Sequence, residues 1–327
     1  MGVLDNRRKI HWKLRNCHNV FIMGHANLDL DALGSCMGVY RIAKFFRKNV
    51  YIIIDDVDNE LGVKKVLKEI ESSYNLIKTE DIPNYMDKNR NKNLLIIVDV
   101  NKPYMVQSAQ ALELFDKKIV LDHHEMDDTS ISNGLIIVDT SASSASEMIC
   151  SLIKADRIEV SPYVATILLS GMVLDTNNFT LKTKASTYFY AYHLTSLGAS
   201  PREVQYLLKQ DIDQYIKRQK PITNVRIVNK NMAVTTGVGN SIYRREDLAR
   251  IADTLIMFNG IEASFVIGKL DKSTVGISAR SLGTIEVNKI LSKLSGGGDK
   301  YNAASKISNF TVKEVEAQLN KLLEEDI

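Results

Sequence analysis

Lys118-Ile119-Val120-Leu121-Asp122-His123-His124 decides how this chain is read, because an apolar run suited to a buried strand ends directly in three metal-competent polar groups. Three more apolar runs end in the same way. Val20-Phe21-Ile22-Met23 runs into Gly24-His25-Ala26-Asn27-Leu28-Asp29-Leu30-Asp31, Leu94-Leu95-Ile96-Ile97-Val98 stops at Asp99, and Leu168-Leu169-Ser170-Gly171-Met172-Val173-Leu174 leads to Asp175. In an open parallel sheet, ligands bind in the crevice beyond the carboxyl ends of the strands. All four segments are therefore expected to present their polar ends on one rim.

Taken singly, each of these residues has an ordinary reading, an Asp as a helix cap or a His as a satisfied core residue. Together, His25, Asp29, Asp31, Asp99, Asp122, His123, His124 and Asp175 crowd one rim with like charges that need cations to neutralise them. Carboxylate oxygen with some imidazole and no thiolate suits Mn²⁺ best, ahead of Mg²⁺, Co²⁺, Fe²⁺ or Zn²⁺. The carboxylates exceed what one octahedral ion needs. Two ions about 3.5–4 Å apart, sharing a carboxylate and a water, would use them all and would suit hydrolysis of a phosphate ester.

Length and composition set the frame. A chain of 327 residues is long for one compact domain and suits a larger and a smaller one. No apolar run approaches the length that spans a bilayer, and the charged start, Met1 to Lys9, has no apolar core or cleavage site of a signal peptide. A net charge of +3 argues against a groove for long nucleic acid, which needs a concentrated basic stripe. Cys17, Cys36 and Cys150 are scattered, without the spacing of a zinc or thiol-exchange site, and read as buried reduced thiols of a cytoplasmic protein.

Alternation of apolar and helical segments predicts an α/β fold, a mostly parallel sheet flanked by helices, ending near Gly198. Strands are expected at residues 51–54, 94–98, 119–121 and 135–138, and a helix from Asp31 to about Phe46, with Asp29 and Asp31 at its start. Ser200, Pro201 and Glu203 read as the capping box of a linker helix running to about Lys220. Beyond it, strands at 225–228, 232–236, 263–270 and 272–279, a helix at 244–258 and a helical tail from about Thr311 make a second, smaller α/β domain. The expected division is 1–198, a linker over 199–222, and 223–327.

In order, spacing and residue type, the segment from His25 to Ser35, Val98-Asp99, Asp122-His123-His124 and Asp175 resemble the four motifs of the DHH phosphoesterase superfamily, and the second domain resembles its DHH-associated domain. Gly276-Ile277-Ser278-Ala279-Arg280-Ser281-Leu282-Gly283, followed by Gly296-Gly297-Gly298 and Asn302-Ala303-Ala304, is most similar to the catalytic module of GdpP-type cyclic-di-AMP phosphodiesterases. The resemblance implies cleavage of cyclic-di-AMP to linear 5′-pApA with two Mn²⁺ ions. It implies His25, Asp29 and Asp99 on one ion and Asp31, Asp99, His123 and Asp175 on the other, with Asp99 as the bridge. Asp122 is then expected to orient a ligating imidazole through its other ring nitrogen, and His124 to contact the scissile phosphate or assist the leaving oxygen.

Arg280 is expected to hold a phosphate that is not being cut, with Ser278 and the backbone of Gly296, Gly297 and Gly298 beside it. Ser143 and Ser144 are weaker candidates. Asp299 departs from the family pattern, which has His there, and is expected to repel a phosphate. The resemblance further implies a cyclic dinucleotide or short oligonucleotide in a cleft between the domains, a homodimer, and membrane attachment only through segments absent from this chain. Two alternatives remain in view: a nanoRNase or pAp phosphatase acting on pApA or pAp, and a sensor that binds a cyclic dinucleotide without cutting it.

Overall fold

The computed structural model describes residues 2–55, 59–209 and 211–325. The chain divides into two compact units, Met1–Lys209 and Gln210–Ile327.

The first unit is built on β1 (Asn19–Met23), β2 (Asn49–Ile53), β3 (Leu76–Ile77), β4 (Asn93–Val98), β5 (Lys118–Asp122) and β6 (Leu135–Val138), in the spatial order β3-β2-β1-β4-β5-β6. Every pairing in it is parallel. Alternate residues feed two cores. Val20 and Ile22 of β1 and Leu94, Ile96 and Val98 of β4 join one, whereas Phe21, Met23, Leu95 and Ile97 join the other. Burial on both faces explains why these strands read as continuous apolar runs.

Helices α1 (Arg7–Arg15), α2 (Leu30–Phe45), α3 (Leu61–Ile70), α4 (Ile82–Tyr85), α5 (Ala109–Leu114), α6 (Ala145–Asp156), α7 (Pro162–Asp175), α8 (Ala185–Ser196) and α9 (Pro201–Leu207) complete the unit. The strand order reverses between β1 and β4. One chain direction leaves β1 toward β2 and the other leaves β4 toward β5, so a crevice opens at their carboxyl ends.

Two expectations need correction here. The run at 168–174 is not a fourth rim strand but the last turns of α7. That helix buries every residue from Val164 to Val173, so apolar side chains occupy all its faces and no helical period shows in the sequence. The linker helix also breaks into α9 and α10 (Ile212–Ile222), because Asp211 caps a new helix by accepting from Gln214 N–H at 2.9 Å. Ser200 does cap α9, but the reciprocal half of the capping box is missing. Its N–H donates to Thr166 Oγ1 at 3.0 Å instead of to Glu203.

The second unit carries β7 (Arg226–Val228), β8 (Met232–Thr236), β9 (Ala263–Lys269), β10 (Thr274–Ser281), β11 (Gly297–Gly298) and β12 (Asn302–Ser308), ordered β11-β12-β10-β9-β8-β7. Only β8 and β9 pair in parallel. Helix α11 (Arg245–Leu255) packs through Leu248, Ile251 and Leu255 on one face. Helices α12 (Val287–Ser292) and α13 (Val312–Glu325) cover the other through Leu291, Val315 and Leu319. Among the described residues, no helix is long and apolar enough to cross a membrane.

Helices α2 and α7 approach closely at Gly171. A Cβ there would stand 2.5 Å from Ser146 Oγ, 2.6 Å from Asp31 Oδ1 and 2.7 Å from Asp31 Cα. Gly171→Ala is therefore expected to destabilise the protein by about 1–3 kcal/mol, the usual range for overpacking. Chemical denaturation checks this, and an unchanged midpoint would contradict the close packing.

Candidate metal centre

Each motif reaches the rim through a distinct local device. After β1 the chain turns through Gly24 and His25, with Asn27 in the left-handed region at φ 55°, and Asp29 then caps α2 by accepting from Asp31 N–H and Ala32 N–H, both at 2.9 Å. The loop after β4 clamps this turn. Ala26 N–H donates to Met105 O at 2.7 Å, and Gln107 N–H to Gly24 O at 2.9 Å. Asp99 follows β4 directly with φ 59°, a conformation Asp tolerates better than most L residues. That turn aims its side chain into the crevice between His25 and His123.

Three groups of side chains come together, each with ligand atoms within 4.8 Å of one another: His25, Asp29 and Asp99; Asp31, Asp99, His123 and Asp175; and Asp99, Asp122, His123 and His124. Asp99 belongs to all three. The first two bring together the same residues that the resemblance groups around each ion. Asp175 arrives from the carboxyl end of α7 rather than from a strand.

Donors and acceptors are unbalanced here, as they are when cations are meant to fill a site. His25 Nδ1 lies 2.7 Å from Ala26 O, and since a carbonyl only accepts, that nitrogen carries a proton. The lone pair of a neutral ring then sits on Nε2, which faces Asp29 Oδ1 at 3.6 Å and Asp99 Oδ2 at 3.5 Å. His123 Nε2 is 3.0 Å from Asp175 Oδ2 and 3.3 Å from Asp99 Oδ1. Even so, both its ring nitrogens and Asp99 Oδ1 are buried without a formed hydrogen bond. Buried polar atoms in this state are costly unless something binds them. Oxygen with imidazole is a donor set that fits Mn²⁺ and similar divalent ions.

With no cation, protons take over that balancing. Burial disfavours a charged His25, but Asp29 and Asp99 outweigh it and push the ring up to about 12. For His123, burial is likewise overcome by Asp175 and Asp99, which push it up to about 11. Burial works to raise Asp99, yet His123 and His25 hold it well below the usual carboxylate range. Asp175 rises to about 6 through burial and the charges of Asp99 and Asp29, against the pull of the neighbouring His123 ring. Burial, with Asp99 and Asp175 nearby, lifts Asp31 well above its ordinary value.

Two roles escaped the sequence reading. Asp31, fully buried, accepts from Ala145 N–H at 2.7 Å and Ser146 N–H at 2.8 Å, so its charge also sits at the amino end of α6. Asn101 donates through Nδ2 to Asp122 Oδ2 at 2.6 Å. Asp122 in turn holds His124, not the ring of His123, with Oδ1 at 2.8 Å from His124 Nδ1. Ser143 and Ser144 do not open onto the cluster. Ser144 caps α6, and Ser143 donates to the buried carboxylate of Glu147.

In the second unit, Arg280, Ser278, Gly297 and Gly298 line one pocket of about 560 Å³, bordered by α11, β10 and β12. Asp253 steadies Arg280 by accepting from Nε at 2.5 Å. Gly296 lies beside the pocket without lining it. The glycine run forms an edge strand with β12 rather than a free nest, and Gly298 (φ 135°) admits no Cβ, which would fall 2.2 Å from Asn302 O. Asp299 has a local structural role. Its Oδ1 accepts from Tyr301 N–H at 2.7 Å and Asn302 N–H at 2.8 Å, so it closes the turn between β11 and β12 and is not among the residues lining the pocket.

A doubly wound α/β unit with a carboxylate and imidazole rim at its switch point thus precedes a unit built on a mixed sheet with a pocket beside Arg280. Residues 19–172 match the DHH family, N-terminal domain, and residues 229–327 the DHHA1 domain; the chain belongs to the DHH family. It is 38% identical over 304 residues to the cyclic-di-AMP phosphodiesterase PdeA of Listeria monocytogenes serotype 1/2a (strain 10403S), covering 92% of this chain and 46% of that protein. It is 35% identical over 311 residues to the cyclic-di-AMP phosphodiesterase GdpP of Geobacillus thermodenitrificans, covering 93% and 47%. The chain therefore spans about half the length of these curated relatives. An exopolyphosphatase-related protein from Bacteroides fragilis shares the fold, with a TM-score of 0.76 at 20% identity over 98% of each chain.

The protonation pattern carries a sign. A histidine pKa raised in the folded state stabilises fully below its unfolded value, near 6.5, and that contribution falls progressively above it and is gone once pH has risen through about 11 to 12. Cations that bind these rings must displace their protons. The melting-temperature increase caused by Mn²⁺, relative to a chelator, should therefore be larger at pH 8 than at pH 6. Thermal melts at both pH values check this, and an equal or reversed increment would count against imidazole ligation.

Proposed function

We propose that this chain is a divalent-metal-dependent phosphodiesterase that hydrolyses cyclic-di-AMP to linear 5′-pApA. The observation that carries the reading is the convergence of two His/Asp groups on Asp99 at the switch point, in a chain 38% identical to a cyclic-di-AMP phosphodiesterase. His25, Asp29 and Asp99 hold one Mn²⁺, and Asp31, Asp99, His123 and Asp175 the other. Bound there, the cations polarise a phosphoryl group and make a water acidic enough to attack phosphorus. The water's OH joins phosphorus, the bond to the 3′ oxygen breaks, and that oxygen leaves with a proton. His124, half exposed beside the cluster, contacts the phosphoryl group or supplies that proton.

Catalysis is assigned to 1–198 and substrate binding to 223–327, joined by a linker over 199–222. Arg280, Ser278 and the backbone of Gly296, Gly297 and Gly298 bind the part of the substrate that is not being cut. The same reading takes the working state as a cytoplasmic homodimer, as the family resemblance implies.

Chromatography of cyclic-di-AMP, cyclic-di-GMP, pApA and pAp, each incubated with Mn²⁺ and with Mg²⁺, tests the reaction. Cyclic-di-AMP should be converted fastest, to pApA, and mainly with Mn²⁺. Preference for pApA or pAp would make the chain a short-oligonucleotide phosphatase, and tight binding without product would make it a sensor. Asp99→Asn keeps a residue that tolerates the positive φ but removes the shared charge. It should lower kcat more than about 100-fold, beyond what groups that merely orient ligands cost, and near wild-type turnover would contradict the shared-ligand role. Arg280→Ala should raise KM at least about tenfold with little change in kcat, the loss expected for a charge-assisted hydrogen bond to substrate. An unchanged KM would remove Arg280 from the binding site.

A further inference from the structure

Asn101 lies two residues beyond Asp99, in the loop after β4, and is 1% exposed. Ser130 Oγ fixes the orientation of its amide. That hydroxyl oxygen already accepts from Asp127 N–H and from Lys102 Nζ, both at 2.9 Å, so its own hydrogen goes to Asn101 Oδ1 at 3.0 Å. The amide nitrogen must then face acceptors. Nδ2 does so, donating to Asp122 Oδ2 at 2.6 Å and to His124 O at 3.1 Å.

Asp122 is fully buried, and each of its oxygens is spoken for. Oδ2 accepts from Asn101, while Oδ1 accepts from His123 N–H at 2.8 Å, His124 N–H at 3.3 Å and His124 Nδ1 at 2.8 Å. An oxygen already taking two backbone N–H groups is an acceptor toward the ring as well, so His124 Nδ1 carries the proton. Nε2, on a ring that is 52% exposed, is then the nitrogen at which a second proton is gained before it passes to the leaving oxygen.

We propose that Asn101 is a positioning residue: by fixing Asp122 it sets the rotamer and tautomer of His124, so that Nε2 rather than Nδ1 is offered to substrate. This rests on the reading of the rim as a phosphodiester-hydrolysing centre, because it gives His124 a substrate to meet. The device is built from the loops after β4 and β5, and it lies outside the two groups assigned to cations. A carboxylate free to turn about its own side-chain bonds would leave the exposed ring a choice of rotamers and tautomers. Asn101 removes that choice with one buried amide.

The test is a double-mutant cycle on the metal-loaded protein, joined to a readout that needs no turnover. Asn101→Asp keeps the shape, removes the donor and turns an acceptor toward Asp122. It should lower kcat on the cleaved dinucleotide about 10- to 100-fold, with KM and Mn²⁺ affinity within about two-fold. In a His124→Ala background the same substitution should change kcat less than about two-fold, since a residue acting through His124 has nothing left to act on. Equal losses in both backgrounds would overturn the proposal and make Asn101 a support of the ligands or the fold.

Nitrogen-resolved NMR of the histidine rings, in Mg²⁺ to avoid paramagnetic broadening, should show His124 as the Nδ1–H tautomer in the wild type and a mixed or altered state in Asn101→Asp. An unchanged His124 ring in the variant would also overturn it. If the wild type cleaves no phosphodiester, the functional reading fails while the NMR comparison still decides the role of Asn101. Should Asn101→Asp fail to fold, Asn101→Ala, which removes the donor without adding an acceptor, takes its place in both measurements.

Discussion

The charge of Asp99, held between His25 and His123 where the strand order reverses, is the interaction on which the rest of the site depends. Among the described residues, Asp99 offers a carboxylate oxygen to each of the three His/Asp groups at the rim. It does so from a backbone conformation, φ 59°, that aims the carboxylate into the crevice. The parallel sheet supplies the crevice itself, since neighbouring strands on either side of the reversal send their connections in opposite directions. Motifs separated by many residues thereby reach one small volume.

The surrounding packing keeps the acidic groups close. Asp31 is buried against two backbone N–H groups at the start of α6, so part of its charge is balanced by the helix end rather than by solvent. Gly171 allows α7 to lie against α2 at that level, and the same helix then delivers Asp175 from its last turn. Protons on His25 and His123 balance the remainder when no cation is bound. The second unit builds its pocket differently, from an edge ribbon of glycines and an arginine steadied by Asp253.

Much of this was legible in the sequence because it is local. Strands β1, β4 and β5 announce themselves as apolar runs, and each polar group sits within a few residues of its strand end, so strand position and site position are read together. What stayed hidden depends on partners far along the chain. The tie from Asp31 to Ala145 spans 114 residues, and that from Asn101 to Asp122 spans 21, so neither leaves a local signature. Helix α7 was misread because complete burial erases the period that separates helix from strand. The turn that Asp299 closes, by accepting from Tyr301 and Asn302 N–H, is likewise a matter of backbone geometry that residue type alone does not announce.

The central claim is that the rim is an acceptor set arranged for two cations that share Asp99. An anomalous-difference map from crystals grown in Mn²⁺ tests it most directly. Two peaks are expected at the carboxyl ends of β1 and β4, both coordinated by Asp99, one also by His25 and Asp29 and the other by Asp31, His123 and Asp175. No peak at this rim, or a single ion bound without Asp99, would contradict it.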